Sequence, residues 1–138
     1  MRAVVARVTS ARVRVDGEVV GEIEAGLVVL LGVGPDDDEA VADALASRIT
    51  ELRIFDDAEG RMNEPLGDRE VLCVSQFTLY GDARKGTRPS YVAAARPEAA
   101  EPLYDRFCER LGAKKGVFGA CMGVALVNDG PVTVMLEV

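Results

Sequence analysis

The chain has 138 residues, of which 49% are hydrophobic, with a formal net charge of −7 and no histidine. At that length a single domain over residues 1–138 is expected, burying roughly 68–70% of the surface the unfolded chain exposes. Without histidine a Ser-His-Asp triad and the commonest zinc ligand are excluded, and the acidic balance argues against a general nucleic-acid binder, which needs clustered Lys and Arg.

In chain order, Arg2 to Val8 and Arg12 to Val15 have strand character, and Asp16-Gly17 is a two-residue hairpin signal leading into Glu18 to Ile23. Leu27 to Val33 predicts a central buried strand. Its apolar run, the longest in the chain, is far below the roughly 20 residues of a membrane span. The N-terminus enters a strand with no apolar signal region, so a cytoplasmic protein with no membrane partner is the expectation. Gly34-Pro35 ends the strand, and Asp36 with Glu39 resembles a capping box for a helix whose apolar face is Val41, Leu45, Ile49 and Leu52.

Ile54-Phe55 predicts a short strand, and the polar stretch from Asp56 to Asp68 a loop punctuated by Gly60, Pro65 and Gly67. Asp56, Asp57 and Glu59 lack the remaining spacing of a calcium loop and are read as solvated turn residues. Val71 to Tyr80 predicts a strand carrying Ser75-Gln76-Phe77-Thr78-Leu79, followed by an exposed loop to Ser90. A second helix presents Leu103, Tyr104, Phe107 and Leu111 and stops at Gly112. Pro102 leaves two starts open, one near Glu101 and one earlier with a local kink. Val117 to Val127 and Val132 to Val138 predict the closing strands. The pattern is mixed α/β, a strongly curved β-sheet or barrel with two packed helices.

Cys73, Cys108 and Cys121 are odd in number and show no CxxC spacing, so they are read as buried reduced thiols rather than a disulfide framework or a metal site. No cofactor is implied. Two basic segments, Arg84-Lys85-Gly86-Thr87-Arg88 and Lys114-Lys115, flank the two motif regions; each also reads as an ordinary solvated loop. Gly130-Pro131 in the run Asn128 to Thr133 suits a tight turn or a cis bond, which costs only about 0.5–1 kcal/mol before proline. Taken alone it is what a plain β-turn looks like.

Together these stretches resemble the D-aminoacyl-tRNA deacylases. The resemblance rests on Ser75 to Leu79, on Gly116-Val117-Phe118-Gly119-Ala120-Cys121-Met122, and on Val127-Asn128-Asp129-Gly130-Pro131-Val132-Thr133. Arg7 to Val13, Gly26 to Pro35, Arg53-Ile54-Phe55 and Arg88-Pro89-Ser90-Tyr91 extend it in order along the whole chain. The resemblance implies hydrolysis of the ester of D-aminoacyl-tRNA, glycyl-tRNA included, by a homodimer with its active sites at the subunit interface. It places Ser75, Gln76, Phe77 and Thr78 at the reacting ester, with Thr78 positioning and the substrate's own 2′-hydroxyl assisting water. It further implies that a cis Gly130-Pro131, braced by Arg7, excludes L side chains in the partner's pocket. Phe118, Gly119 and Met122 would line the terminal adenosine site; Phe118 and Met122 also read as core residues. Two other readings are a deacylase acting on L-aminoacyl-tRNA and a non-catalytic tRNA-binding module. Ser75-Gln76 and Asn128-Asp129 follow the D-specific pattern, against the first.

Overall fold

In the cluster facing the inside of the sheet, Ala6 and Val8 keep the period of two, and Ala11 and Val13 resume it after a step of three. One strand therefore runs without a break, β1 (Arg2–Val15), where the sequence suggests two. The extra step is absorbed as a register shift at Val8/Ser10 in its pairing with the C-terminal strand. The structure is a computed structural model and describes residues 1–138. Asp16 (φ 51°) and Gly17 (φ 80°) supply the paired positive φ angles of a tight hairpin. That turn leads into β2 (Glu18–Ile23) and then β3 (Gly26–Gly32), both antiparallel to β1.

Both faces of β3 are covered, which explains its unbroken apolar run. Leu27, Val29 and Leu31 join the larger core under the helices, while Val28 enters a second cluster inside the curve with Leu72 and Val74. Its other neighbour, β6 (Glu70–Ser75), is parallel and so requires a crossover. That crossover contains α1 (Glu39–Glu51) and a small hairpin of β4 (Phe55–Asp56) with β5 (Met62–Glu64). The hairpin lies largely in the segment predicted as a loop. Asp57 shapes its turn by accepting from the amides of Glu59 at 2.9 Å and Arg61 at 3.1 Å.

The cap of α1 is Asp38 rather than Asp36: its carboxylate accepts from the Val41 amide at 2.9 Å. Asp37 is engaged elsewhere, by the N-terminal ammonium at 2.8 Å and the Gly34 amide at 2.7 Å. The buried face is Ala42, Leu45, Ala46 and Ile49, so Val41 and Leu52 sit at its margins.

The second helix, α2 (Pro97–Leu111), begins at the earlier of the two starts, with Pro97 in its first turn and Pro102 accommodated within it. Gly112 closes it at φ 64°, its amide donating to the carbonyls of Cys108 and Glu109. Arg106 ties the two helices by donating to both carboxylate oxygens of Asp43 at 2.8 Å, and this hydrogen bonding lowers the Asp43 pKa. Tyr104 and Phe107 fill the core beneath.

Beyond α2, β7 (Lys114–Lys115) pairs with β6, and β8 (Gly123–Glu137) runs antiparallel along almost all of β1. The predicted closing strands are thus one strand, and residues 117–122 precede it as a turn. The sheet is nearly closed. A Cβ on Gly21 of β2 would stand 2.7 Å from the Lys115 carbonyl oxygen of β7, and the Lys114 ammonium donates to the Glu22 carbonyl at 3.0 Å. Cys73 and Cys108 are buried as expected, but Cys121 is exposed because its turn lies on the surface.

Candidate active site

The predicted strand over Val71 to Tyr80 ends at Ser75. Its neighbour β3 stops at Gly32, and after the Gln76 amide donates to the Leu31 carbonyl at 2.7 Å the chain has no further partner strand. It coils into a 3₁₀ turn over Phe77–Tyr80, closed by Leu79 N–H to Gln76 carbonyl (3.2 Å) and Gly81 N–H to Thr78 carbonyl (2.9 Å). Buried Tyr80 anchors the turn against Gly32 and Gly34, where side chains would leave it no room. A helical turn leaves its first N–H groups without internal partners, and here those belong to Phe77 and Thr78. Thr78 is exposed, and its hydroxyl accepts a hydrogen bond from the Gln76 side-chain amide.

A cleft of about 780 Å³ opens beside this turn. Ser75, Gln76 and Phe77 form one wall, and Phe118, Gly119 and Met122 another. Twelve of its seventeen lining residues are hydrophobic. At the rim Phe77, 54% exposed, meets Tyr91 edge-on at 5.1 Å, and Val92 is 91% exposed. Phe118 also packs against the core, its ring 5.8 Å from that of Tyr104, so it is shared between core and cleft. Thr78 itself does not line the cleft.

Arg7, Gly130 and Pro131 gather at a separate place in the chain. Ala6 pairs with Thr133 and Val8 with Asn128, so one residue of β1 faces an arc of β8 that leaves the ladder. The cis Gly130-Pro131 bond lies within that arc, with Gly130 at φ 121°. Two side chains hold it. Asn128 donates from Nδ2 to the carbonyls of Arg7 at 2.9 Å and Val132 at 3.1 Å. Arg7, only 7% exposed, donates to the carbonyls of Asp129 at 3.2 Å and Ile54 at 2.8 Å and pairs with the Asp56 and Asp129 carboxylates, each at 3.3 Å. Gly130 and Pro131 are exposed and do not line the cleft of their own chain.

Of the basic candidates, three are neutralised internally: Arg84 by Asp82 at 2.7 Å, Lys114 by Glu70 at 2.7 Å and Lys115 by Asp105 at 3.0 Å. Lys85 and Arg88 are exposed in the loop that the Asp82–Ser90 bridge closes. Burial pushes the Cys73 thiol well up, leaving it a structural residue. Sequence reasoning passed over Arg96, which lines the cleft; its signal is an arginine directly before the proline that opens α2. No cluster of three or more His, Cys, Asp or Glu side chains stands ready to bind a metal, and no helix is long and apolar enough to cross a membrane.

The chain is similar to known proteins in sequence and in fold. A D-aminoacyl-tRNA deacylase of Symbiobacterium thermophilum is 57% identical over 99% of this chain and 95% of its own length. A solved structure described as c-Myc DNA Unwinding Element Binding Protein superposes with a TM-score of 0.94 at 40% identity, covering 100% of this chain and 99% of that one. A probable eukaryotic D-amino acid tRNA deacylase shares the fold at a TM-score of 0.86 and 17% identity, over 99% of this chain and 98% of that one. The family model for D-Tyr-tRNA(Tyr) deacylase matches residues 4–137. With its exposed motif turn, the cleft beside it and the pinned Gly-Pro arc, this chain belongs to the D-Tyr-tRNA(Tyr) deacylase family, hydrolases of aminoacyl-tRNA.

Proposed function

We propose that residues 1–138 act as one domain that cleaves the ester joining a D-amino acid to the terminal ribose of tRNA in the cytoplasm. The observation that carries this reading is the end of β6 and the 3₁₀ turn after it, which put Ser75, Gln76 and Phe77 on the wall of a largely apolar cleft with the first amides of the turn unpaired inside it. Water adds to the ester carbonyl, the ribose 3′-oxygen leaves with a proton, and free amino acid and tRNA result. The amides at Phe77 and Thr78 receive the developing oxyanion, where one donor is worth about 2.7–4 kcal/mol. Gln76 holds the Thr78 hydroxyl, which positions the substrate, and the 2′-hydroxyl beside the ester helps to activate water. Phe118, Gly119 and Met122 accept the terminal adenosine, its base lying on apolar surface.

Chirality is read in a second copy of the chain. The exposed Gly130-Pro131 arc is no part of the lining of its own cleft, which supports a homodimer in which each arc enters the partner's pocket. Its carbonyls then occupy the side of the substrate Cα where an L side chain projects. Glycyl esters, having no side chain to collide, are cleaved as well.

Matched D-, L- and glycyl-tRNA incubated with the protein test this directly. Ester loss from the D and glycyl forms, with the L form intact, is expected. Equal loss of L and D esters would defeat the exclusion argument, and binding without any cleavage would restore the non-catalytic reading.

A further inference from the structure

Building on the deacylase reading above, we propose that Arg96 holds the phosphodiester preceding the terminal nucleoside of the substrate. The chain carries a net charge of −7, yet no carboxylate lines the cleft and Arg96 is the one cation that does. Arg96 enters no ion pair, in contrast to Arg84, Lys114 and Lys115, each of which an acidic neighbour occupies.

The position itself is unusual for arginine. Arg96 is the N-cap of α2 and makes no side-chain cap hydrogen bond, where Ser, Thr, Asp or Asn would contribute about 1 kcal/mol. A guanidinium has no acceptor with which to cap the first amides of α2, so the Arg96 side chain serves the helix no purpose there; it stands exposed and without an ion pair at the positive end of a 15-residue helix. Glu98, the acidic residue of that first turn, is not part of the cleft lining. A planar fork of donors on the margin of an apolar cleft matches a nucleoside with one phosphate attached: base and sugar against Phe118 and Met122, phosphate oxygens on Arg96.

Three D-phenylalanyl esters separate the contacts: one of adenosine, one of adenosine 5′-phosphate and one of cytidylyl-adenosine. The intact protein should show a lower KM for the two phosphate-bearing esters than for the first. Arg96→Gln should shrink that preference about tenfold, equivalent to about 1.4 kcal/mol, and Arg96→Lys should restore part of it. On full-length D-aminoacyl-tRNA, Arg96→Gln should also flatten the dependence of log KM on log salt by about 0.7, the value for one phosphate contact on a single strand. An unchanged preference in Arg96→Gln would overturn the assignment of Arg96 alone. Failure of the unaltered protein to cleave any of the three esters would overturn the deacylase reading and this one with it.

Discussion

Gly130 is the residue at which space and conformation agree most sharply. Its φ of 121° lies where L side chains rarely go, and a Cβ there would meet Val132 Cγ2 at 2.8 Å and Arg7 Nη2 at 2.9 Å. Gly130→Ala should therefore destabilise the fold by about 1–3 kcal/mol and displace the arc. If the arc enters the site, kcat/KM for a D-aminoacyl-tRNA should fall by about a hundredfold, the cost of misplacing positioning groups by about an ångström. Steady-state kinetics beside a thermal melt decide the matter, and retention of full activity would remove the arc from the site. At this scale the sequence was informative wherever the signal was local. Ser75 to Thr78 and Asn128 to Thr133 are contiguous words in the sequence, although the backbone each adopts is set by distant partners, the end of β3 for the first and Arg7 for the second. Arg96 and the rim position of Tyr91 depend instead on how the loop before α2 folds back beside β6, which no spacing along the chain records.

Helix α1 illustrates how elements are set by single contacts. Replacing Asp38 by alanine leaves the Val41 amide without its partner and should cost about 1 kcal/mol, read as a lowered urea midpoint at unchanged slope. The same change at Asp36 should have a much smaller effect. Three consecutive aspartates made the cap ambiguous in sequence, because each satisfies the residue preference and only the local path assigns the roles. Gly112 posed no such difficulty: a glycine after the last apolar position of a helix has few other uses. Two elements were legible only in part or not at all, for opposite reasons. Of the β4–β5 hairpin, β4 was marked by Ile54-Phe55, but β5 is three exposed residues with no alternation to betray it. The 3₁₀ turn carries Phe77, Leu79 and Tyr80, residues equally suited to a strand, and coils only because β3 has ended alongside it.

At the level of the whole molecule, the sheet is curved enough to fill its own interior, with the helices covering the opposite face. β8 pairs with β1 alone, and it exposes large apolar side chains: Met135 is 80% exposed, Val127 56% and Leu126 40%. This strand is a candidate face for the proposed homodimer. Met135→Asp would place a charge in such an interface, and the dimer should weaken by more than about a hundredfold. Sedimentation velocity should then report a folded monomer that no longer hydrolyses D-aminoacyl-tRNA; an undisturbed dimer would direct the search to another face. One guanidinium has a wider reach than its position on β1 suggests. Arg7 bonds across 47 residues of sequence to Ile54, the residue that leads into the β4–β5 hairpin, and across 122 to the Gly-Pro arc. The two loops consequently share a single knot, so their free energies are not separable. Loosening a peripheral hairpin slackens, through that one side chain, a segment more than sixty residues away.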